Sequence, residues 1–281
     1  MDHDRLLRIA RQLVETDRLL GVEAVPVGSP PALQTRDEPD ESTADAPAPP
    51  PVSRAKPSDA LFAGAPAQGE ASHATSSVFS AGLSRDEKVA ALRALDENEV
   101  KGCTKCDLCQ GRTQTVFGEG DPDAPILFIG EGPGQNEDEQ GRPFVGRAGD
   151  LLNKMIKAMG YDREQVFIAN VVKCRPPNNR TPSPAEVDAC WDYLRRQIEI
   201  IRPRAIVTLG GPAAKMLLNT KIGITRLRGT WHTYDGLAPH GPPIPLMPTF
   251  HPAYLLRAYT PDNRKTVWSD LQKVMGEVND E

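Results

Sequence analysis

Four short apolar runs constrain this chain more than any other feature. They are 125–130 (Pro-Ile-Leu-Phe-Ile-Gly), 166–172 (Val-Phe-Ile-Ala-Asn-Val-Val), 205–210 (Ala-Ile-Val-Thr-Leu-Gly) and 245–250 (Pro-Leu-Met-Pro-Thr-Phe). Each is short for a helix and lacks the polar alternation of a strand with one wet face, so each predicts a strand buried on both sides. Helical patterns fall between and around them. Residues 84–95 open on Ser84 and Glu87, spaced for a capping box; 148–159 carry Leu151, Leu152, Met155 and Ile156 on one face; 184–201 have Pro184 in the first turn. Shorter helices are expected at 212–218 and from Ala253, and a last one over about 262–278. Strands alternating with helices predict an α/β fold in three layers, α/β/α, around a central, mainly parallel four-stranded sheet. Ligands of such sheets lie at the carboxyl ends of the strands, which selects 130–134, 170–175, 210–211 and 251–254 before any motif is considered.

The rest of the chain reads differently. Residues 1–24 contain an amphipathic helix over 3–21, with Leu6, Ile9, Leu13 and Leu20 at helical spacing. Residues 25–83 are rich in Pro and Ala and too poor in apolar side chains to offset the entropy of ordering, so they read as a disordered linker. The folded domain is expected over 84–281. The leading helix is either a docking element for that domain or a partner-binding peptide. The net charge of −5 comes from the N-terminal region, where 12 Asp/Glu face 7 Lys/Arg in residues 1–83; the remainder is neutral overall and can still present a local basic face. No stretch is long and apolar enough for a membrane span, and no secretory leader is evident at the N-terminus. The expectation is a cytosolic monomer with no membrane partner.

The selected strand ends carry polar groups in unusual settings. The first is Gly-Glu-Gly-Pro-Gly at 130–134, where glycines allow close backbone approach and Glu131 could position a water. Its spacing matches neither a Walker loop nor a dinucleotide fingerprint. Downstream, Phe144 sits in a polar, glycine-rich loop where an aromatic ring could stack on a planar base. At the second strand end Asn170 interrupts an apolar run; its amide offers an acceptor and a donor side by side, the complement of the N3–H and O4 edge of uracil. At the fourth, His251 precedes Pro252 and could donate to a developing anion. Each alone is open to a structural reading, but convergence on one sheet end favours a ligand site.

Five cysteines occur, Cys103, Cys106, Cys109, Cys174 and Cys190. An odd number in a chain without a leader argues against a disulfide framework and for metal use. Cys103-x-x-Cys106 is a ligand pair, Cys109 rivals either member, and four of the five could hold zinc or an iron–sulfur cluster.

Together these motifs, with Pro-Phe-Val-Gly-Arg-Ala-Gly at 143–149, Asn-Val-Val-Lys-Cys-Arg-Pro-Pro at 170–177 and His-Pro-Ala-Tyr-Leu-Leu at 251–256, resemble the family 4 uracil-DNA glycosylases. The resemblance covers roughly residues 99–277. It implies a uracil-DNA glycosylase-like fold and a monofunctional hydrolase that removes uracil from DNA in base excision repair. It further implies a [4Fe–4S] cluster on Cys103, Cys106, Cys174 and Cys190, leaving Cys109 free. It assigns Phe144 to stacking on uracil, Asn170 to reading its edge, His251 to the leaving group, and Glu131 and Glu137 to the pocket as carboxylates. Gly132 falls where other families carry a catalytic Asp. No Lys-Arg-Arg-Ile-His insertion follows 172–180, so turnover rather than covalent trapping of the sugar is expected. Uracil-containing DNA, single- or double-stranded, is the implied partner, with Arg175, Arg180 and Arg257 as candidate phosphate contacts; a nucleoid-associated protein is then expected, with the N-terminal helix as the element for a repair or replication partner.

Overall fold

The computed structural model describes residues 82–237 and 241–279. The expected helix over 3–21 and the linker lie outside the described residues.

The four apolar runs are strands: β2 (Ile126–Gly130), β3 (Phe167–Asn170), β4 (Ala205–Leu209) and β6 (Ile244–Thr249). They pair in parallel in the order β3-β2-β4-β6. The sheet has six strands rather than the four expected from sequence. Two short strands run antiparallel along its edges, β1 (Glu119–Gly120) on β3 and β5 (His232–Tyr234) on β6. They were illegible because two or three residues are too few to show an apolar pattern. The second run also leaves regular pairing at Asn170, although Val171 and Val172 still donate to the carbonyls of Gly130 and Glu131.

Alternate residues of the central strands feed two apolar layers. Leu127, Ile129, Ala169, Ile206 and Leu246 pack against α1 (Arg85–Leu95) and α5 (Pro184–Ile201). Ile126, Phe128, Ile168, Val207 and Met247 pack against α4 (Arg147–Ala158) and α9 (Pro261–Asn279). Between these lie the short helices α2 (Leu108–Gly111), α3 (Gln135–Gln140), α6 (Gly211–Leu217), α7 (Ile224–Leu227) and α8 (Pro252–Arg257). Local chemistry sets the helix ends. Ser84 and Ser183 each cap a helix through reciprocal bonds with Glu87 and Glu186, and α5 stops at Arg202, which turns left-handed at φ 52.

The order of the strands decides where a ligand can enter. The chain leaves β2 for β3 on one side and returns past it to β4 on the other, so the connections diverge at the carboxyl ends of β2 and β4. That divergence opens a crevice above the sheet.

Candidate active site

A cavity of about 630 Å³ opens at this crevice. Its walls include Glu131, Gly132, Glu137, Phe144, Asn170 and His251, so folding brings together all the non-cysteine site residues anticipated from sequence. The six arrive on five elements: the turn after β2 (Glu131 and Gly132), the helix α3, the loop before α4, the end of β3, and the start of α8.

Asn170 is 2% exposed, and its Oδ1 has no hydrogen-bond partner. A buried amide oxygen left unpaired costs about 1–3 kcal/mol, so this atom waits for a donor. Phe144 lies beside it. A Cβ on Gly130 would stand 2.5 Å from both Asn170 Oδ1 and Phe144 Cζ, which measures how tightly the amide and the ring close over the strand end. The Phe144 ring lies 5.5 Å from the imidazole of His251, centroid to centroid, with 29° between planes.

His251 is the N-cap of α8, and its Nδ1 accepts the backbone N–H of Ala253 at 3.0 Å. That bond leaves Nδ1 without a proton in the neutral ring and puts the proton on Nε2. Burial, helped by the charge of Arg257, lowers the His251 pKa to about 4. At neutral pH the residue is therefore an uncharged imidazole with an Nε2–H donor. The unfolded chain takes up the proton first, at the ordinary value of 6.5, so this group's contribution to stability is complete above 6.5 and is lost as pH falls through about 4. An NMR titration of the His251 ring should accordingly show its midpoint near 4 and no change between pH 6 and 8. A midpoint near 6.5 would mean that the ring is solvated and charged in weak acid.

The two carboxylates differ. Glu131 is partly exposed in the cavity wall, and its carboxylate has no partner among the described residues. Glu137 is tied on both oxygens: Oε1 accepts from Val145 N at 2.9 Å and Oε2 from Gly134 N at 3.1 Å. It clamps the turn after β2 to the loop carrying Phe144. Gly132 is required by packing, since a Cβ there would come within 2.8 Å of Val172 Cγ2. Of the arginines expected near phosphates, Arg257 and Arg180 line the cavity, but both Nη atoms of Arg180 are spent on Glu186 at 2.8 and 2.6 Å. That pairing holds the Glu186 carboxyl down at about 2. Arg175 donates to Asn179 at 2.8 Å.

All five cysteines border a second, small cavity, with Cys174 and Cys190 buried and Cys103, Cys106 and Cys109 half-buried. Two N–H groups already point at sulfur: Arg112 Nη1 reaches Cys174 Sγ at 3.2 Å, and Lys173 N reaches Cys190 Sγ at 3.3 Å. Burial pushes the Cys106 and Cys174 thiols up and the Cys190 thiol up to about 11. These thiols give up their protons only to a strong local positive charge, such as a bound metal centre. Among the described residues no group of three or more His, Cys, Asp or Glu gathers around a point suited to one metal ion. The flanking cations Arg112 and Lys173 escaped sequence reading. A lysine inside the apolar Val-Val-Lys-Cys run was a signal, because its side chain had to find partners in the interior. It is 1% exposed and donates to the Asn170 carbonyl at 2.9 Å and to Gln197 Oε1 at 2.6 Å.

Comparison with known proteins bears on this geometry. Residues 117–272 match the model of the uracil DNA glycosylase superfamily. The chain is 47% identical over 191 residues to a type-4 uracil-DNA glycosylase of Thermotoga maritima, covering 68% of this chain and 96% of that protein. It is 50% identical over 184 residues to the type-4 uracil-DNA glycosylase of Sulfurisphaera tokodaii, covering 63% and 81%. A type-5 uracil-DNA glycosylase of Pyrobaculum aerophilum is more distant, at 34% over 114 residues, 35% of this chain and 50% of that one.

Proposed function

The chain belongs to the type-4 uracil-DNA glycosylases of the uracil DNA glycosylase superfamily, and on that footing we propose that the cavity above β2 and β4 is where uracil is cut from DNA. The protein is a uracil-DNA glycosylase, a hydrolase of N-glycosyl bonds acting in DNA repair. The observation that carries the site assignment is the buried, partnerless Oδ1 of Asn170 beside the ring of Phe144. Uracil N3–H supplies the missing donor, O4 accepts from the amide nitrogen, and the ring face lies on Phe144. Cytosine presents the opposite polarity at this edge and leaves both groups unpaired, a mismatch that buried polar sites reject strongly.

The reaction begins with extrusion of the deoxyuridine from the helix, at a cost of a few kcal/mol. The C1′–N1 bond then breaks, its electron pair leaves with uracil, and positive charge develops on the sugar. His251 Nε2–H donates to O2 as that oxygen gains charge; a neutral donor suits this step because it needs no counter-charge in the resting pocket. Glu131 stabilises the sugar cation and orients the water whose oxygen bonds to C1′, and the proton that this water loses neutralises the departing uracil anion. Glu137 has both oxygens on backbone N–H groups and serves to hold the pocket. Arg257 and Arg175 take phosphates. The products are uracil and an abasic site, and the enzyme turns over.

The thiol set fits an iron–sulfur cluster. Cys103, Cys106, Cys174 and Cys190 would hold a [4Fe–4S] cluster, with Cys109 left over; buried thiols on separate segments and N–H donors aimed at sulfur support this reading. When bound, such a cluster supplies a structural cross-link between the loop at 103–106, α5 and the segment after Asn170. Cys174→Ser should lose iron and the brown absorbance and should also lower uracil release, because it unties the segment that carries Asn170. Full iron content and colour in this variant would rule out Cys174 as a ligand.

The function is tested with an oligonucleotide bearing one uracil, followed by alkali. Wild type should cut at the uracil and leave the matching cytosine strand intact. Asn170→Leu should cut at least about a hundredfold more slowly, the scale for losing paired hydrogen bonds in a dry site. Folded wild type that leaves the uracil strand whole would overturn the assignment.

A further inference from the structure

Phe144 has a backbone that resists its task. Its φ of 49 lies in the left-handed region, where a bulky L-residue is strained, so neighbouring structure has to hold it there. The loop also folds back hard on the first turn of α4: a Cβ on Gly149 would fall 1.9 Å from the Phe144 carbonyl oxygen. The Glu137–Val145 bond secures one side of the loop.

On the other side one guanidinium binds the loop backbone directly. Arg163 does not line the cavity, and its side chain is 13% exposed. Its Nη2 donates to the Pro143 carbonyl, and its Nη1 to the Phe144 carbonyl at 3.3 Å and to Asn153 Oδ1 on α4 at 2.6 Å. Its Nε donates to Glu119 Oε1 at 2.8 Å, on the edge strand β1. Two successive carbonyls, an α4 side chain and an edge-strand carboxylate thus meet on one planar fork. A lysine, with a single rotating ammonium, cannot reproduce that arrangement. Arg142, two residues before Phe144 in the same loop, shares Glu119 at 2.7 and 3.0 Å, yet it is mostly exposed, where such a pair contributes little, and it donates to neither the Pro143 nor the Phe144 carbonyl.

We propose that Arg163 is a positioning residue for base recognition, locking the strained Phe144 loop so that the ring is pre-set as the platform for uracil. This inference rests on the uracil pocket proposed above. A platform that grips the base in both ground and transition states contributes uniform binding, so its loss should raise KM and leave kcat nearly unchanged. Free uracil, the product, probes that grip without DNA or chemistry.

The test compares full-length wild type, Arg163→Gln, Arg163→Lys, Asn153→Ala and Arg142→Ala. For each, KM and kcat are measured on a single-uracil oligonucleotide, with the inhibition constant for added uracil. Arg163→Gln should raise both KM and the uracil inhibition constant by about tenfold, within the loss expected when a reacting group is misplaced from a distance, with kcat changed by less than about threefold. Arg163→Lys should recover only part of the affinity, and Arg142→Ala should match wild type. If Arg163→Gln does not fold, Asn153→Ala, which removes one anchor of the guanidinium, should shift the uracil constant in the same direction by about threefold. An unchanged uracil inhibition constant in folded Arg163→Gln, or in Asn153→Ala where that variant stands in, overturns the role of Arg163. An equal shift in Arg142→Ala overturns it too, since the effect would then follow Glu119. Absence of uracil release by wild type would instead sink the pocket assignment itself.

Discussion

The His251→Ala variant should release uracil about 10²–10³ times more slowly than wild type, with most of the loss in kcat. The ring is buried and neutral at working pH, with its Nδ1 committed to the N–H of Ala253, so its Nε2–H is fixed in direction before substrate arrives. A donor already aimed at the position where charge develops needs no reorganisation during bond cleavage, which is why its removal acts on the transition state more than on binding. The same substitution removes an N-cap, a loss of about 1 kcal/mol that leaves the domain folded. Single-turnover rates beside a thermal melt separate the two effects. A rate within tenfold of wild type would show that uracil departs without help from this residue.

Gly130→Ala should be nearly as damaging, by a different route. Its added methyl would stand 2.5 Å from Asn170 Oδ1 and 2.5 Å from Phe144 Cζ, far inside contact distance. Gly130 is not among the positive-φ glycines, so the backbone itself accepts alanine and the conflict lies with the side chains of Asn170 and Phe144, the proposed base-binding pair. Overpacking of this kind costs about 1–3 kcal/mol of stability. Displacing ring and amide together should lower kcat/KM by about 10²-fold or more, the penalty for ångström-scale misplacement at a reacting site. Gly102→Ala, where a Cβ meets nothing within 4 Å, is the matched control and should be neutral. Full activity in Gly130→Ala, measured as uracil release at saturating and limiting DNA, would move the base-binding site away from the end of β2.

The sheet was legible because its information is local. Each central strand is a short, mostly apolar run, and flanking helices carry their own start signals, as Ser183 with Pro184 and Glu186 do for α5. The edge strands β1 and β5 were not, because each is only two or three residues long and its pairing partners lie elsewhere in the chain, 47 to 49 residues away for β1 and 10 to 14 for β5. Site residues were legible where chemistry conflicted with surroundings: an amide ending an apolar strand, a histidine before proline, an aromatic among glycines. Residues that act by holding others showed no such conflict. Arg163 and Glu137 look like ordinary surface charges until the chain brings backbone carbonyls and N–H groups to meet them.

The amino-acid sequence by itself determined the parallel α/β core, the strand ends at which the cavity opens, and the presence there of Asn170, Phe144, His251 and Glu131 as groups with chemistry to offer. Periodicity, capping and side-chain type are properties of neighbouring residues, so one dimension suffices to read them. Only the tertiary structure decided which atoms of those groups are free. It spent both oxygens of Glu137 and both Nη atoms of Arg180, left Asn170 Oδ1 unpaired, and put the proton of His251 on Nε2. Those outcomes depend on burial and on hydrogen bonds between segments distant along the chain, which exist only once the sheet has assembled.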